Sequence, residues 1–240
     1  MEEFIVEDKE YLDEAKKTGK IIISGEEHFH LSRVLRMKSG EKILITDGQG
    51  LVYKCEIVNV TDTKTFARVI NFEMWFNASK REYAIVISLL SSTSKIEFAL
   101  EKCTELGARE FVIFKSNRSE KTNVRIERLK KVVRSAVKQS LQSYIPPIHI
   151  ADDLMSVEQI SRKYKSKFVM EIMANKRLDE KVKLLPSDQS VIAVIGPEGG
   201  LTEEEVKFFC LSGFECLSLG NSRLRSETAA IKVSSLLAAY

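Results

Sequence analysis

The sequence predicts an α/β protein in two parts, a small β-barrel over residues 1–76 and an α/β domain over residues 77–240. Three observations carry this. Up to residue 76, short runs rich in Ile, Val, Tyr and Phe surround a single helical pattern. After it, apolar strands alternate with amphipathic helices, the pattern of a parallel sheet with helical crossovers. Near the end, the continuously apolar run Val191–Ile195 leads into GPEGG and an immediate helix start. A strand apolar along its whole length is one covered on both faces.

Length and charge set bounds on function. The 240 residues, 44% of them apolar, are enough for one large core or two smaller ones. The net charge of +3 does not by itself mark a nucleic-acid binder, but residues 1–76 balance at −3 and residues 77–240 at +6. No apolar run reaches the ~20 residues that a membrane helix needs, and nothing reads as a signal peptide. Cys55, Cys103, Cys210 and Cys216 contain no CxxC spacing and mostly sit in apolar surroundings, so buried free thiols in a reducing cytoplasm are expected, with no metal site.

In the first part, Phe4–Val6, Lys20–Ser24, Lys42–Thr46, Leu51–Val60 and Lys64–Met74 read as strands, with a hairpin turn at Asp47-Gly48-Gln49-Gly50. Short strands around one helix suggest a closed or nearly closed barrel. The helix is Glu26–Arg36, with Phe29, Val34 and Leu35 among its apolar positions. Arg33 and Arg36 are three apart and share a face, with Lys38 following. They are candidates for holding RNA phosphates, the other reading being a solvated helix face. His28 and His30, two apart on a helix, point to opposite sides, which argues against joint chelation.

Asn77–Glu82 is polar and unpatterned, the expected linker. Ala84–Leu90 then reads as a strand, and Ser94 with Glu97 as a capping box for a helix that buries Ile96, Ala99, Leu100, Cys103 and Leu106 and stops at Gly107. Phe111–Phe114 is the next strand. Lys115–Lys138 follows, holding Lys115, Arg118, Lys121, Arg125, Arg128, Lys130, Lys131, Arg134 and Lys138 against Glu120 and Glu127. Its apolar stripe (Ile126, Leu129, Val133, Ala136, Val137) leaves the other faces basic. A one-signed face calls for an anionic partner such as RNA; an ordinary basic surface is the alternative. Pro146-Pro147 ends this helix. A strand at Ile148–Ile150, a helix near Ser156–Tyr164, a strand at Phe168–Met173 and a polar loop over Ala174–Gln189 complete this region.

After Val191–Ile195, glycines 196, 199 and 200 turn the chain into a helix capped by Thr202 and Glu205 and ended by Gly213. A short strand, Cys216–Leu219, meets a second glycine turn at Gly220 before a C-terminal helix that begins near Ser226. Two such transitions close together are where α/β sheets place ligands. Glu198, Glu203, Glu204 and Glu205 would repel a phosphate, and neither GxxxxGK[ST] nor GxGxxG is present. An uncharged or cationic ligand fits better, against the plainer reading of a tight turn with ordinary capping.

GPEGG with its acidic helix start, followed by SLG and LRSETAA, resembles the ribosomal RNA small-subunit methyltransferase E family of the SPOUT class. The resemblance extends through HLSRVLRMKSGEKILITDG and EKCTELGAREFVIFKSNRS, four motifs in the family's order; one departure is the turn Asn221-Ser222-Arg223. It implies a PUA-like β-barrel that binds RNA, then a SPOUT-type α/β methyltransferase domain with a C-terminal trefoil knot. It further implies a cytoplasmic homodimer joined through the second domain. The implied reaction is methyl transfer from S-adenosylmethionine to N3 of a uridine in 16S rRNA of the small ribosomal subunit. Cofactor contacts then fall on Gly196, Glu198, Gly199, Gly200, Leu219, Gly220, Leu224 and Thr228, and rRNA contacts on Arg33, Arg36, Arg118, Arg125 and Arg128.

Uridine N3 keeps its proton at neutral pH and becomes a nucleophile as that proton leaves, so a base or a cation that stabilises the ring anion lowers the barrier. Arg225 and Arg118 are the candidate cations, and Glu227 or Glu198 the candidate acceptors. Glu227 also suits a first-turn carboxylate facing the helix dipole. Rival readings are a non-catalytic rRNA-binding module, a nucleotide-dependent enzyme using the same loops, and a SPOUT methyltransferase with another RNA target.

Overall fold

The computed structural model describes residues 1–120 and 124–240. Lys121 of the basic segment lies outside the described residues. The chain forms two compact units, Met1–Ala78 with Val137–Ile145, and Ser79–Ala136 with Pro146–Tyr240. Residues 137–145 thus join the first unit, whereas the sequence alone predicts the second part to run unbroken over 77–240.

The first unit holds β1 (Glu3–Ile5), α1 (Lys9–Thr18), β2 (Lys20–Ser24), α2 (Gly25–Phe29), β3 (Lys42–Thr46), β4 (Leu51–Val60) and β5 (Lys64–Met74). Its sheet runs β1-β3-β4-β5-β2, with β1 and β2 as its two edges, so it is an open half-barrel. β1 is parallel to β3 and the other pairings are antiparallel. Phe4, Ile21, Ile23, Leu31, Ile43, Ile45 and Ile57 fill its core.

Two features depart from the sequence reading. α1 has no counterpart in it, because its buried face is only Leu12 and Ala15, too narrow a stripe to stand out among charged neighbours. Asp8 caps α1 by accepting from the Glu10 amide at 2.9 Å. The expected helix Glu26–Arg36 is instead α2 followed by a π-helical turn over His30–Val34, with the Leu35 amide bonded five residues back to the His30 carbonyl. The wider turn breaks the 3.6-residue period. Phe29, Val34 and Leu35 therefore stand exposed, Leu31 is buried, and Arg36 has left the helix at φ 55°. Arg33 and Arg36 do not share a helix face. His28 is buried and its Nδ1 lies 2.9 Å from the Thr65 hydroxyl.

The second unit holds β6 (Tyr83–Ser88), α3 (Thr93–Glu105), β7 (Glu110–Phe114), α4 (Ile126–Ser140) up to Ala136, its last turn from Val137 counting with the first unit, β8 (Ile148–Ala151), α5 (Leu154–Ser161), β9 (Ser166–Met170), α6 (Leu178–Lys183), β10 (Val191–Ile195), α7 (Glu203–Leu211), β11 (Glu215–Leu217) and α8 (Ser226–Ala239). Its six strands are all parallel in the order β11-β9-β10-β6-β7-β8. The chain builds outward from β6 to β8, then crosses to the other side for β9 to β11. Every residue of β6, β7 and β10 is buried, as their composition requires.

Several local details differ from what the sequence predicts. Ser92 rather than Ser94 caps α3, and Glu97 does not close a capping box; its carboxylate is taken by Arg128, whose Nη2 lies 2.9 Å from it, a stronger charge-assisted partner. Ala174–Gln189 contains α6. Asn77–Glu82 is anchored, since Arg81 is fully buried and donates to the carbonyls of Pro186, Gln189 and Tyr240. The basic face of α4 is partly neutralised, with Lys130 on Glu127 and Lys138 on Glu27 as well as Arg128 on Glu97. Cys55 and Cys103 are buried, but Cys210 is exposed and its sulfur lies 2.8 Å from that of Cys216.

Candidate active site

The carboxyl ends of β9, β10 and β11 open onto a cavity of about 360 Å³ in the second unit. Such a volume is that of a small-molecule site, at the edge of a parallel sheet where ligands bind. Met170–Ile172 after β9, Ile195–Leu201 after β10 and Leu219–Gly220 after β11 form its walls, closed by Ser222–Leu224, by Ser226 and Ala229 of α8, and by Arg118 from the loop after β7.

The first turn has its shape because two of its positions need glycine. A Cβ on Gly196 would stand 3.0 Å from the Leu201 amide nitrogen, and Gly200 sits at φ 73°. The Thr202–Glu205 capping box forms as expected at the head of α7. Glu205 is buried, and its second oxygen accepts from the Asn117 amide at 2.7 Å. Glu203 and Glu204 point to solvent. Of the four acidic residues expected around this turn, only Glu198 lines the cavity, joined by Glu171.

Glu198 is held from the neighbouring loop. Its carboxylate accepts from the Ser91 amide at 3.2 Å, from the Ser91 hydroxyl, and from Lys95 Nζ at 2.7 Å. Burial by itself would raise this carboxyl, but the Lys95 ammonium and the Ser91 donors outweigh it and hold it at about 2. Arg118 Nη1 donates to the carbonyls of Gly199 and Leu201, at 2.8 and 3.3 Å, and Arg223 Nη2 to that of Glu198 at 3.1 Å. At the second turn Gly220 takes φ 112°, and Lys232 Nζ of α8 donates to the Leu219 carbonyl at 2.7 Å.

The fold thus brings Gly196, Glu198, Gly199, Gly200, Leu219, Gly220, Leu224 and Arg118 around one cavity. Arg225, Glu227 and Thr228 lie beside it without lining it. Arg225 is the N-cap residue of α8, exposed, and without an ion pair among the described residues. Glu227 is buried, and one of its oxygens, Oε2, has no hydrogen-bond partner among the described residues. Thr228 is exposed. Arg33 and Arg36 belong to the first unit; Arg125 is exposed just before α4, and Arg128 on α4 is tied to Glu97. Ser91, Lys95, Glu171, Arg223 and Lys232 were missed by sequence reasoning. Four of them carry no local signal, and Lys95 was hidden by the competing capping-box reading of Ser94 and Glu97.

The sheet, the glycine turns and their cavity are those of an RNA methyltransferase domain. The family described as RNA methyltransferase domain matches residues 77–238, and the one described as RNA methyltransferase PUA domain matches residues 23–70. Ribosomal RNA small subunit methyltransferase E of Bacillus subtilis is 32% identical over 243 residues, covering 94% of this chain and 91% of that protein. The chain belongs to the ribosomal RNA small subunit methyltransferase E family. Among solved structures, a probable rRNA-methyltransferase from Porphyromonas gingivalis matches with TM-score 0.82 at 28% identity, over 100% of this chain and 99% of that one. A methyltransferase from Legionella pneumophila in complex with the bound cofactor SAM matches with TM-score 0.76 at 25% identity, over 92% and 91%.

Proposed function

We propose that this chain transfers the methyl group of S-adenosylmethionine to N3 of a uridine in the 16S rRNA of the small ribosomal subunit. The observation that carries the reading is the cavity between the two glycine turns, in a chain of this family. Ile195, Leu219, Leu224 and Ala229 offer an apolar wall to an adenosyl group, and the Glu171 and Glu198 carboxylates complement a sulfonium and an ammonium. Bound there, the cofactor supplies a methyl group activated by positively charged sulfur.

The chain's own residues then hold the uridine in line and manage one proton. The N3 proton passes to a carboxylate, and Glu227, with one oxygen unpartnered among the described residues, is assigned that role. With the cofactor in the cavity, the deprotonated ring nitrogen would be the nucleophile and the sulfonium would supply the methyl carbon, sulfur being the leaving group. Arg225 suits stabilisation of the ring anion because no carboxylate among the described residues takes it up, and Arg118 adds a second cation at the cavity wall. Arg33, Arg36, Arg125 and Arg128 are assigned to rRNA phosphates. The reading extends to a cytoplasmic homodimer joined through the second unit, with the C-terminal segment threaded as a trefoil knot. Among the described residues no helix is long and apolar enough to cross a membrane.

Isothermal titration with S-adenosylmethionine tests the reading first. A 1:1 complex is expected, and neither a non-catalytic RNA-binding module nor a nucleotide-dependent enzyme gives one. Mass spectrometry of small subunits methylated in vitro then locates the new methyl group. Absence of cofactor binding, or a methyl group elsewhere than uridine N3, overturns the proposal at that level.

A further inference from the structure

We propose that Ser91 and Lys95 are positioning residues that clamp the Glu198 carboxylate and so hold the Gly196–Leu201 turn in its ligand-binding shape. The inference rests on the cofactor reading above. β6 and β10 are neighbours in register, Ile87 beside Ile195, so the loop that leaves β6 and the turn that leaves β10 emerge side by side at the same sheet edge. Ser91 stands in that loop and Lys95 in the first turn of α3. Both Glu198 oxygens accept from the Ser91 amide, at 3.2 and 3.3 Å, and Lys95 Nζ bridges the pair, 2.7 Å from Glu198 and 2.9 Å from the Ser91 hydroxyl.

Two physical arguments separate this from an ordinary surface ion pair, which contributes little. A lysine in the first turn of a helix faces the positive end of the helix dipole, an unfavourable place unless an anion is at hand. Glu198 is that anion, supplied by another loop. The turn itself has three glycines in five residues, restrained internally by Pro197 and by the Gly200 amide donating to the Pro197 carbonyl at 2.9 Å, so a tie from a neighbouring loop adds to what holds its shape. The carboxylate is ionised across the whole working range of pH, which keeps the clamp closed throughout.

Lys95→Met and Glu198→Gln, singly and together, test the clamp. Each single variant is expected to raise the dissociation constant for S-adenosylmethionine about tenfold, the scale of one charge-assisted hydrogen bond. Single-turnover methylation at saturating cofactor should fall by less, about threefold at most, on the same scale. The double variant should lose no more than the worse single one, because both remove the same contact, and Lys95→Arg should recover most of the affinity. Hydrogen exchange of the amides in residues 196–202, measured without ligand, should quicken about tenfold in Lys95→Met on the same scale. Wild-type exchange in a folded Lys95→Met protein overturns the clamp whatever the cofactor does. A wild-type protein that binds no S-adenosylmethionine, with exchange still dependent on Lys95, overturns the cofactor reading and leaves the clamp standing.

Discussion

Arg118 Nη1 donates to the carbonyl oxygen of Gly199 at 2.8 Å, and a Cβ on Gly199 would stand 3.4 Å from the Arg118 stem. The guanidinium ties the turn to the loop after β7, and a Cβ at 199 would meet the arginine stem at ordinary packing distance. Arg118→Ala should raise the cofactor dissociation constant about tenfold and slow single-turnover methylation by about 10²-fold, the scale of losing one preorganised charge. Arg118→Lys should fall between, since an ammonium reaches one carbonyl but lacks the planar fork. Isothermal titration and rapid-quench kinetics on the folded variants check this; wild-type values for Arg118→Ala would remove Arg118 from the site.

Arg225 is exposed and without an ion pair among the described residues, so a purely structural pairing with Glu198 or Glu227 does not account for it. Arg225→Ala is expected to melt within a few degrees of wild type and bind cofactor normally. Its single-turnover rate at saturating cofactor and rRNA should drop about 10²-fold. A normal rate ends the catalytic assignment, and a large loss of melting temperature returns Arg225 to a structural role.

Arg33 and Arg36 point to different outcomes. Arg33 lies 3.8 Å from Asp62 with both side chains exposed, a contact easily exchanged for a phosphate. Arg36 takes φ 55°, a conformation that costs most side chains about 1–2 kcal/mol. Arg33→Ala should lower the slope of log K for rRNA against log salt by roughly one. Arg36→Gly should do the same while leaving stability equal or higher. Filter binding from 50 to 200 mM salt, a range that spans the expected effect, reads the slopes; unchanged slopes return both residues to a solvated surface.

Glu3 gives the first unit a pH dependence. It is buried with neither carboxylate oxygen partnered among the described residues; burial first, then the negative charge of Glu27, raise its carboxyl to about 8, against a lowering by Lys138. Between the ordinary value of 4.5 and about 8 the folded chain keeps a proton that the unfolded chain has lost. Stability contributed at Glu3 therefore falls as pH rises through that window and levels off above it. Glu3→Gln, neutral at every pH, should melt above wild type at about pH 9 and close to it near pH 4.5. Thermal melts across the range decide it, and a lower melting temperature for the variant at high pH would refute it.

By itself the sequence determined whatever depends on near neighbours in the chain. The continuous apolarity of Val191–Ile195 marked a doubly covered strand, Thr202 and Glu205 specified a capping box, and β2 to β5 were legible from period-two runs between turn residues. The glycines of both turns were visible because glycine alone relieves a left-handed or crowded backbone. The tertiary structure decided whatever depends on which loops leave adjacent strands. Ser91 and Lys95 meet Glu198 across a hundred residues only because β6 and β10 lie side by side. Glu97 deserted a plausible capping box for Arg128, and the π-helical turn after Phe29 carried Arg36 out of the helix it was expected to share with Arg33. Local hydrogen bonds and periodicity can be read along a chain. Charge partners are settled by strand order, because a carboxylate goes to the strongest donor that the sheet brings within 3 Å or so.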